Sequence, residues 1–329
     1  MQIRFSLFLG VAVLVGLAPA GANQTPLSKE LRPAGTFSIV ARDPSTGELG
    51  VGVQSHWFSV GSNVSWAGAG VGAVATQSFI DPGYGPRGLA LMKSGKPAPE
   101  ALQELLAVDA SRDVRQVAFI DAQGRVAVHT GAKCIPFAGD RTGVDYSTQG
   151  NLLASSEVWE AMGRAFEGTE GDLGDRILAA LQAGQDAGGD ARGRQSAALL
   201  VVRRVSEAEP WKNRVVDLRV EDDVEPIAEL ARLYKLRKAY DLATEGDDYF
   251  AAQNFEKAFE AYNAALVIVP DNDELIFWRG AMLMNAGREA EAVADIKRAI
   301  EMNPRWLALL GRIQEEHFPG ARKVLEQVR

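Results

Sequence analysis

Cysteine and histidine are scarce in this 329-residue sequence. The single cysteine, Cys134, excludes an intramolecular disulfide. The histidines His56, His129 and His317 lie far apart, and only His129 has the cysteine nearby, which is too few ligands for a zinc site. We therefore predict no metal and no other cofactor. We expect Cys134, His56 and His129 to be structural and the fold to be stabilised by its hydrophobic core.

Clustered positive charge and the motifs of common hydrolases are also absent. The formal net charge is -8 and no block of Lys and Arg occurs, which argues against nucleic acid as a partner. The patterns GxSxG, SxxK, HExxH and the phosphate loop are all missing. The glycines of Gly68-x-Gly70-x-Gly72 precede a strand-like segment instead of a helix, so they do not fit a dinucleotide-binding motif.

A long hydrophobic run is missing from the whole chain except near its start. There an apolar stretch over residues 5–17 follows Arg4 and leads into small residues, which predicts a signal peptide over residues 1–22 with cleavage after Ala20 or Ala22. The stretch is shorter than the roughly 18 residues of a transmembrane helix, so no membrane span is expected after cleavage. We predict an exported, periplasmic or secreted protein, with an uncleaved N-terminal anchor as the alternative.

The remaining chain has an ordinary globular composition, with 47% hydrophobic and 24% charged residues, and is long enough for about two domains. Residues 23–35 are polar, contain proline and show no periodicity, which predicts a mature N-terminal extension. From 36 to 225 hairpins alternate with pairs of helices, which excludes an all-parallel sheet and predicts an α+β domain. Predicted strands cover 36–41, 49–54, 73–77, 116–120, 126–130, 196–202 and 215–220, and predicted helices cover 84–93, 99–108, 156–166 and 173–183.

From 226 to 329 the pattern is entirely helical and contains an internal repeat with a period of 34 residues. The recurring pairs are Gly246 and Gly280, Ala258 and Ala292, Tyr262 and Ile296, and Pro270 and Pro304. This period resembles the tetratricopeptide repeat and predicts two repeats over about 242–275 and 276–309. Because about three repeats are needed for a stable core, segments 227–240 and 306–328 are expected to be capping helices. A plain pair of helical hairpins is the alternative.

Small polar residues gather at the ends of the predicted strands of the first domain. Strand ends are common places for functional groups, although turns and sheet edges use the same residue types. These residues are Thr36, Ser55, Thr76, Gln77, Gly150, Asn151 and the loop 188–196, which contains Asp190, Arg192, Gln195 and Ser196.

Several motifs around these residues resemble, in the same order, the family numbered 1028 among domains of unknown function. The resemblance covers about residues 36–233. The motifs are TFSIVARDPSTGELGVGVQS at 36–55, GAGVGAVATQSFIDPGYGPRGL at 68–89, QGNLL at 149–153 and GGDARGRQSAALLVV at 188–202. That family is similar to the N-terminal-nucleophile hydrolases, which implies a four-layer αββα sandwich. Its reaction is not established, and some members carry a module predicted to bind peptidoglycan.

The resemblance implies that Thr36 is the nucleophile. A threonine hydroxyl attacks poorly by itself, but its own free α-amine, with a pKa near 8, can accept the proton. Cleavage of the signal peptide would leave about a dozen residues before Thr36, so a second cleavage at Gly35–Thr36 is required. We expect autoprocessing or trimming at that bond.

The other predicted site residues have supporting roles. Asp190 is expected to orient the amine or bind substrate, with a surface pair with Arg192 as the alternative. Asn151, or a backbone N–H near Gly150, is expected to form an oxyanion hole. The predicted substrate-binding residues are Ser55, Thr76, Gln77, Arg192, Gln195 and Ser196.

The sequence thus favours an exported amide-bond hydrolase that acts on cell-wall or peptide amides, although enzymatic activity itself is left open. The helical module is expected to bind a protein or peptide partner, or to serve as the face of a homo-oligomer. The alternative is a non-catalytic exported binding or scaffold protein in which the extension covers Thr36.

Overall fold

A computed structural model describes residues 33–316 and 318–328 of the chain. The predicted signal peptide at 1–22 and most of the predicted extension lie outside the described residues, as does His317. Within the described part, none of the helices combines the length and the apolar character that crossing a bilayer requires.

The strands of the described residues form two antiparallel sheets. They are β1 (Thr36–Arg42), β2 (Leu49–Ser55), β3 (Ser65–Gly68), β4 (Gly72–Ser78), β5 (Arg115–Asp121), β6 (Val126–Thr130), β7 (Gly139–Gly143), β8 (Tyr146–Asn151), β9 (Ser196–Val202) and β10 (Arg214–Val220). The larger sheet has the order β10-β9-β2-β1-β8-β7, and the smaller one has the order β3-β4-β5-β6. The predicted hairpins β1–β2 and β5–β6 are both confirmed.

The helices divide between the two halves of the chain. They are α1 (Gly61–Val64), α2 (Tyr84–Lys93), α3 (Ala98–Val108), α4 (Glu157–Gly168), α5 (Leu173–Asp186), α6 (Pro226–Ala251), α7 (Phe255–Ile268), α8 (Asp273–Asn285), α9 (Glu289–Met302), α10 (Arg305–Leu310) and α11 (Ala321–Val328). The four helices predicted for the first domain correspond to α2, α3, α4 and α5.

The two sheets and the helices of the first domain stack in four layers, because side chains alternate between the faces of each strand. On β1, Phe37 and Ile39 pack with α4 and α5 in one core, whereas Val40 lies in a second core with the small side chains of β4 and β5. On the far face of the smaller sheet, Val74 and Phe119 pack against α2 and α3. The predicted αββα sandwich is therefore confirmed.

Three strands, β3, β7 and β8, are missing from the sequence prediction. β7 reads GDRTG and β8 reads YSTQGN, which have neither a hydrophobic run nor an apolar alternation. All six residues of β8 are nevertheless buried, including four polar ones, Ser147, Thr148, Gln149 and Asn151. Hydrogen bonding within the interior, described below, explains why polar residues occupy a buried strand.

Helix α6 joins the two halves of the molecule, because its two ends belong to different cores. Ile227, Leu230 and Tyr234 pack in the core of α4 and α5, whereas Ala239 and Ala243 pack with the helices that follow. The sequence predicted a separate capping helix over 227–240, but this segment is continuous with the first repeat helix. The C-terminal segment 306–328, which the sequence also predicted as a capping helix, forms two short helices, α10 and α11.

The predicted repeat contacts occur at equivalent positions of the helical half. A Cβ atom on Gly246 would lie 2.6 Å from the ring of Tyr262. In the second repeat, where both positions recur 34 residues later, a Cβ atom on Gly280 would lie 2.8 Å from Ile296. Glycine at both positions lets the two helices of each repeat approach closely.

The junction between α5 and α6 contains a titratable group. Asp172 caps α5, accepts a hydrogen bond of 2.6 Å from Tyr234 and pairs with Lys238 at 2.8 Å. Burial by itself would raise the pKa of Asp172, but the hydrogen bonds from Lys238 and Tyr234 outweigh it and lower the pKa.

We expect this junction to weaken in acid. Because the folded-state pKa of Asp172 is lowered, its stabilising contribution is present above the ordinary pKa of about 4 and is lost as the pH falls through the folded-state value. Urea unfolding between pH 7 and pH 3 should show a flatter pH dependence for Asp172→Asn than for the wild type. The control variant Asp271→Asn, whose side chain is 85% exposed, should leave the pH profile unchanged.

Candidate active site

Thr36 begins β1, which lies between β2 and β8 in the larger sheet. It is paired with Ser55 on one neighbouring strand and with Asn151 on the other, and all three residues are fully buried. The antiparallel register therefore brings three of the predicted site residues together, although they are distant in sequence.

The hydroxyl of Thr36 lies beside the peptide bond that precedes it. Its Oγ1 atom is 2.9 Å from the carbonyl oxygen of Ala34 and 3.2 Å from Oγ of Ser55, and its single hydrogen can be donated to either. The hydroxyl of Ser55 in turn donates to the carbonyl oxygen of Gly35. A chain of hydroxyl groups thus connects the side chain of Thr36 to the carbonyl of the Gly35–Thr36 bond.

Residues 33–35 are held in place in front of Thr36. Ala34 is buried and forms a β-bridge with Ser78, in which its N–H donates to the Ser78 carbonyl oxygen at 2.9 Å. Arg192 donates from Nη2 to the Gly35 carbonyl oxygen at 2.8 Å and from Nη1 to that of Pro33 at 3.2 Å. The Gly35 carbonyl oxygen therefore accepts hydrogen bonds from two side chains, Ser55 and Arg192.

Asp190 orients Arg192. The carboxylate is fully buried and binds the guanidinium through two hydrogen bonds, of 3.1 Å from Nε and 2.8 Å from Nη2. It also accepts the backbone N–H groups of His56 and Arg192, both at 2.9 Å. The Asp190–Arg192 pair that the alternative expected does form, but its carboxylate is buried, and its guanidinium contacts residues 33–35.

A network of buried amide side chains lies behind Thr36, between the two sheets. Gln77 donates to the Thr36 carbonyl oxygen at 3.4 Å and to Gln116 at 2.7 Å. Asn151 donates to the same oxygen of Gln116 at 2.9 Å, and Gln116 donates to the Gly150 carbonyl oxygen at 2.8 Å. Ser38 bridges Gln77 and Gln149. Because buried polar groups need partners, this network holds the strand ends in one arrangement.

Three of the predicted substrate-binding residues lie away from the Thr36 hydroxyl. Thr76 donates to the carbonyl oxygen of Asp81, and Ser196 donates to the carbonyl oxygen of Trp57 and so supports the segment after β2. Gln195 donates to Asp222 at 3.1 Å near the surface. The structure brings together Thr36, Ser55, Gln77, Asn151, Asp190 and Arg192.

A cleft of about 850 Å³ opens beside this group. Its walls combine aromatic and polar side chains, and Pro33 and Arg192 place it next to the segment that covers Thr36. The lining residues are Pro33, His56, Trp57, Phe58, Ser59, Ser62, Asn63, Leu152, Arg192 and Gln195.

Backbone conformations unusual for side-chain-bearing residues flank the same segment. Ser78, the bridge partner of Ala34, has φ 71°, and Leu152, which contacts Gly35, has φ 53°. Such conformations cost free energy and persist where the surrounding structure enforces them, commonly at functional sites.

A family model described as "Family of unknown function (DUF1028)" matches residues 36–230, which is more than half of the chain. The chain belongs to this family. The crystal structure of a DUF1028 protein from Silicibacter pomeroyi is similar, with a TM-score of 0.55 and 30% sequence identity, and the match covers 61% of this chain and 85% of that one. The likeness supports the four-layer sandwich as the architecture of the DUF1028 region.

The helical half beyond the DUF1028 region contains a tetratricopeptide repeat, whose model matches residues 246–287. The DnaJ homolog subfamily C member 7 homolog of Dictyostelium discoideum is 31% identical over 78 residues, 22% of this chain and 14% of that protein. The STIP1 homolog of the same organism is 28% identical over 89 residues, 24% of this chain and 16% of that protein. The match thus spans only a small part of these relatives. Tetratricopeptide repeats generally mediate protein–protein contacts.

The remaining candidate nucleophile of the DUF1028 region, Cys134, has the opposite character to an activated thiol. Its Sγ donates to the carbonyl oxygen of Arg115 at 3.3 Å, and burial raises the pKa of the thiol. Since the thiolate is the reactive form, this environment disfavours attack by Cys134. The ring of His56 contacts the Arg194 carbonyl oxygen and that of His129 contacts the Arg112 carbonyl oxygen, so both histidines have structural contacts.

Sequence reasoning did not include Gln116 or Leu152 in the site, and it did not predict the hydrogen bonds that hold residues 33–35 in front of Thr36. Gln116 looks like the polar start of an ordinary strand, and residues 33–35 look like the end of an unstructured extension. One usable signal was present: Gly35 stands directly before a strand, and glycine at such a position can mark a close approach of the backbone to its neighbours.

Proposed function

We propose that this protein is an exported amide-bond hydrolase whose nucleophile, Thr36, is released by cleavage of the Gly35–Thr36 bond. The observation that supports the proposal most directly is that the Thr36 hydroxyl lies 3.2 Å from the Ser55 hydroxyl, while Ser55 and Arg192 both donate hydrogen bonds to the Gly35 carbonyl oxygen. A nucleophile and oxyanion donors are the two components that acyl transfer requires.

The cleavage begins with attack of Thr36 Oγ1 on the carbonyl carbon of Gly35. The new C–O bond forms, negative charge develops on the Gly35 oxygen, and Ser55 and Arg192 stabilise that charge by hydrogen bonds. The C–N bond then breaks, the amine takes up the proton that the hydroxyl released, and Gly35 is left as an ester of Thr36. Water hydrolyses the ester, which releases the Gly35 carboxylate and restores the hydroxyl.

The cleavage would give Thr36 and the cleft the groups and the access that an active site needs. Thr36 gains a free α-amine, which can accept the proton of its own hydroxyl in the next attack. Departure of residues 33–35 also frees Arg192 of its two carbonyl partners and joins the cleft to Thr36. An amide substrate that enters the cleft could then be attacked in the same way.

Export and the cell-wall or peptide nature of the substrate belong to the same proposal. The signal-peptide pattern supports export, and amides of the cell wall and of peptides are the natural amide substrates outside the cytoplasm. The tetratricopeptide repeats would then bring the hydrolase to a protein or peptide partner, or to a second copy of the chain.

A non-catalytic binding or scaffold protein is the second candidate. It is favoured by the complete burial of Thr36 and by the hydrogen bonds that hold residues 33–35 over it. In that case the Gly35–Thr36 bond would remain intact, and the repeats would carry the function.

The intact mass of the exported wild-type chain distinguishes the two candidates. We expect a mass that corresponds to a chain beginning at Thr36, and N-terminal sequencing that begins with Thr-Phe-Ser. Purified uncleaved chain should convert to this form during incubation at a rate independent of protein concentration, because the attack is intramolecular. A chain that keeps a start at Gly21 or Asn23 after prolonged incubation would refute the hydrolase and support the binding protein.

A further inference from the structure

We propose that the site occupied by residues 33–35 is the acyl-binding site of the hydrolase, and that its substrates are peptides with glycine on the acyl side of the cleaved amide. This inference rests on the proposed function and adds the substrate class. Residues 33–35 would act as a built-in copy of the substrate.

The chemistry of the ester intermediate supports this identity. Self-cleavage passes through an ester between Thr36 Oγ1 and the acyl group of Gly35, with the α-amine of Thr36 free. A substrate with a glycyl acyl group would give the same covalent species when Thr36 attacks it and the substrate amine departs. The acyl group of that intermediate therefore has the same carbonyl partners, Ser55 and Arg192, in both reactions.

The space around Gly35 explains the requirement for glycine. A Cβ atom at this position would lie 2.8 Å from Cδ2 and 2.9 Å from Cβ of Leu152, and 2.9 Å from Nη2 of Arg192. The guanidinium could shift, but it would then lose its hydrogen bond to the carbonyl oxygen. The Cβ atom of Leu152 cannot move away from this position without a shift of the backbone, which has φ 53° at this residue.

The two preceding positions define the rest of the acyl site. Ala34 is buried and its N–H pairs with the Ser78 carbonyl oxygen, so this position accepts a small residue in an extended peptide. Pro33 lies at the wall of the cleft, and its carbonyl oxygen accepts a hydrogen bond from Arg192. The preferred acyl group is thus an extended peptide that ends in a small residue followed by glycine.

Two coumarin amides test the inference with the self-cleaved wild-type chain. These are acetyl-Pro-Ala-Gly-aminomethylcoumarin and its counterpart with alanine in place of glycine. We expect kcat/KM for the glycyl amide to exceed that for the alanyl amide by about 10- to 100-fold, because the extra methyl group overpacks the site. Leu152→Gly removes two of the three close contacts and suits the positive φ, so it should narrow this ratio to less than about threefold.

A control variant separates loss of the contact from release of backbone strain. Gln253→Gly also replaces a residue of positive φ, at 60°, but lies in the helical half and should keep the wild-type ratio. Equal hydrolysis of both amides, or hydrolysis only of amides that lack a glycyl acyl group, would overturn the inference and leave the hydrolase standing. If self-cleavage occurs and neither coumarin amide is hydrolysed, the substrate class is wrong. If Thr36 is never released, the proposed function itself fails, and the mass measurement identifies that case.

Discussion

Replacing Thr36 with alanine should abolish cleavage of the bond after Gly35 and with it all amide hydrolysis. The variant Thr36→Ala lacks the hydroxyl oxygen that attacks the Gly35 carbonyl carbon in the proposed mechanism. The chain should keep its full exported mass throughout an incubation in which the wild type is completely converted. Intact-mass spectrometry over time measures this outcome directly.

Two companion variants make the result specific to the hydroxyl. Thr36→Ser keeps the nucleophilic oxygen and should still be cleaved, at a reduced rate. Thr148→Ala removes another buried hydroxyl of the larger sheet, which donates to the Trp159 carbonyl oxygen at 2.8 Å, and should be cleaved close to the wild-type rate. Loss of the Thr36 hydroxyl should cost about 1 kcal/mol of stability, so the folded state persists. Cleavage of Thr36→Ala at the wild-type rate would point to an external protease and refute autoprocessing.

Replacing Arg192 with alanine should lower both the stability of the protein and the rate of self-cleavage. The Asp190 carboxylate has no exposed surface, and removal of its cation leaves a buried charge without compensation. We expect the free energy of unfolding to fall by about 3–5 kcal/mol in urea denaturation at pH 7. The control variant Arg164→Ala breaks a pair with Glu157 whose side chains are 58% and 68% exposed, and should cost less than about 1 kcal/mol.

Loss of stability and loss of the oxyanion donor can be separated. The double variant of Asp190→Asn with Arg192→Ala removes the buried charge and should regain part of the lost stability, but its self-cleavage should remain about 100- to 1,000-fold slower than that of the wild type. Ser55→Ala removes the other donor to the Gly35 carbonyl oxygen without changing any charge and should slow self-cleavage to a similar extent. Wild-type cleavage by the double variant would show that Arg192 acts only as a structural partner of Asp190.

Much of the sandwich was predictable because its central strands have strong local signals. Strands β1, β2 and β9 are rich in β-branched and small apolar residues, and helices α4 and α5 have apolar residues at helical spacing. Strand β8 was missed for the opposite reason: most of its buried side chains are polar, and the amides of Gln149 and Asn151 donate to residues 111 and 35 positions away in the chain. Local patterns carry no information about such partners.

The candidate site shows the same division. Thr36, Ser55, Gln77, Asn151, Asp190 and Arg192 were predicted as members of a site. The register of β1 between β2 and β8 explains how Thr36, Ser55 and Asn151 meet, whereas Gln77 comes from the smaller sheet and Asp190 and Arg192 from the loop before β9. Their individual contacts were not predictable. Arg192 and Ser55 hold the Gly35 carbonyl oxygen, whereas the amide of Asn151 donates to Gln116. The expected role of Asn151 as an oxyanion donor therefore stays a prediction for the cleaved form.

The sequence by itself determined the α+β class of the first domain, the helical repeats with their period of 34 residues and the position of Thr36 at the start of a strand. Each of these depends on local propensity or on a periodic pattern, which a single chain displays directly. Only the tertiary structure decided what surrounds the Gly35–Thr36 bond, because a hydrogen bond of 2.8 Å between residues 157 positions apart depends on the packing of the whole sheet. Residues 33–35, the end of the segment that the sequence predicted as an extension, are thereby held in front of Thr36 by Ser78 and Arg192.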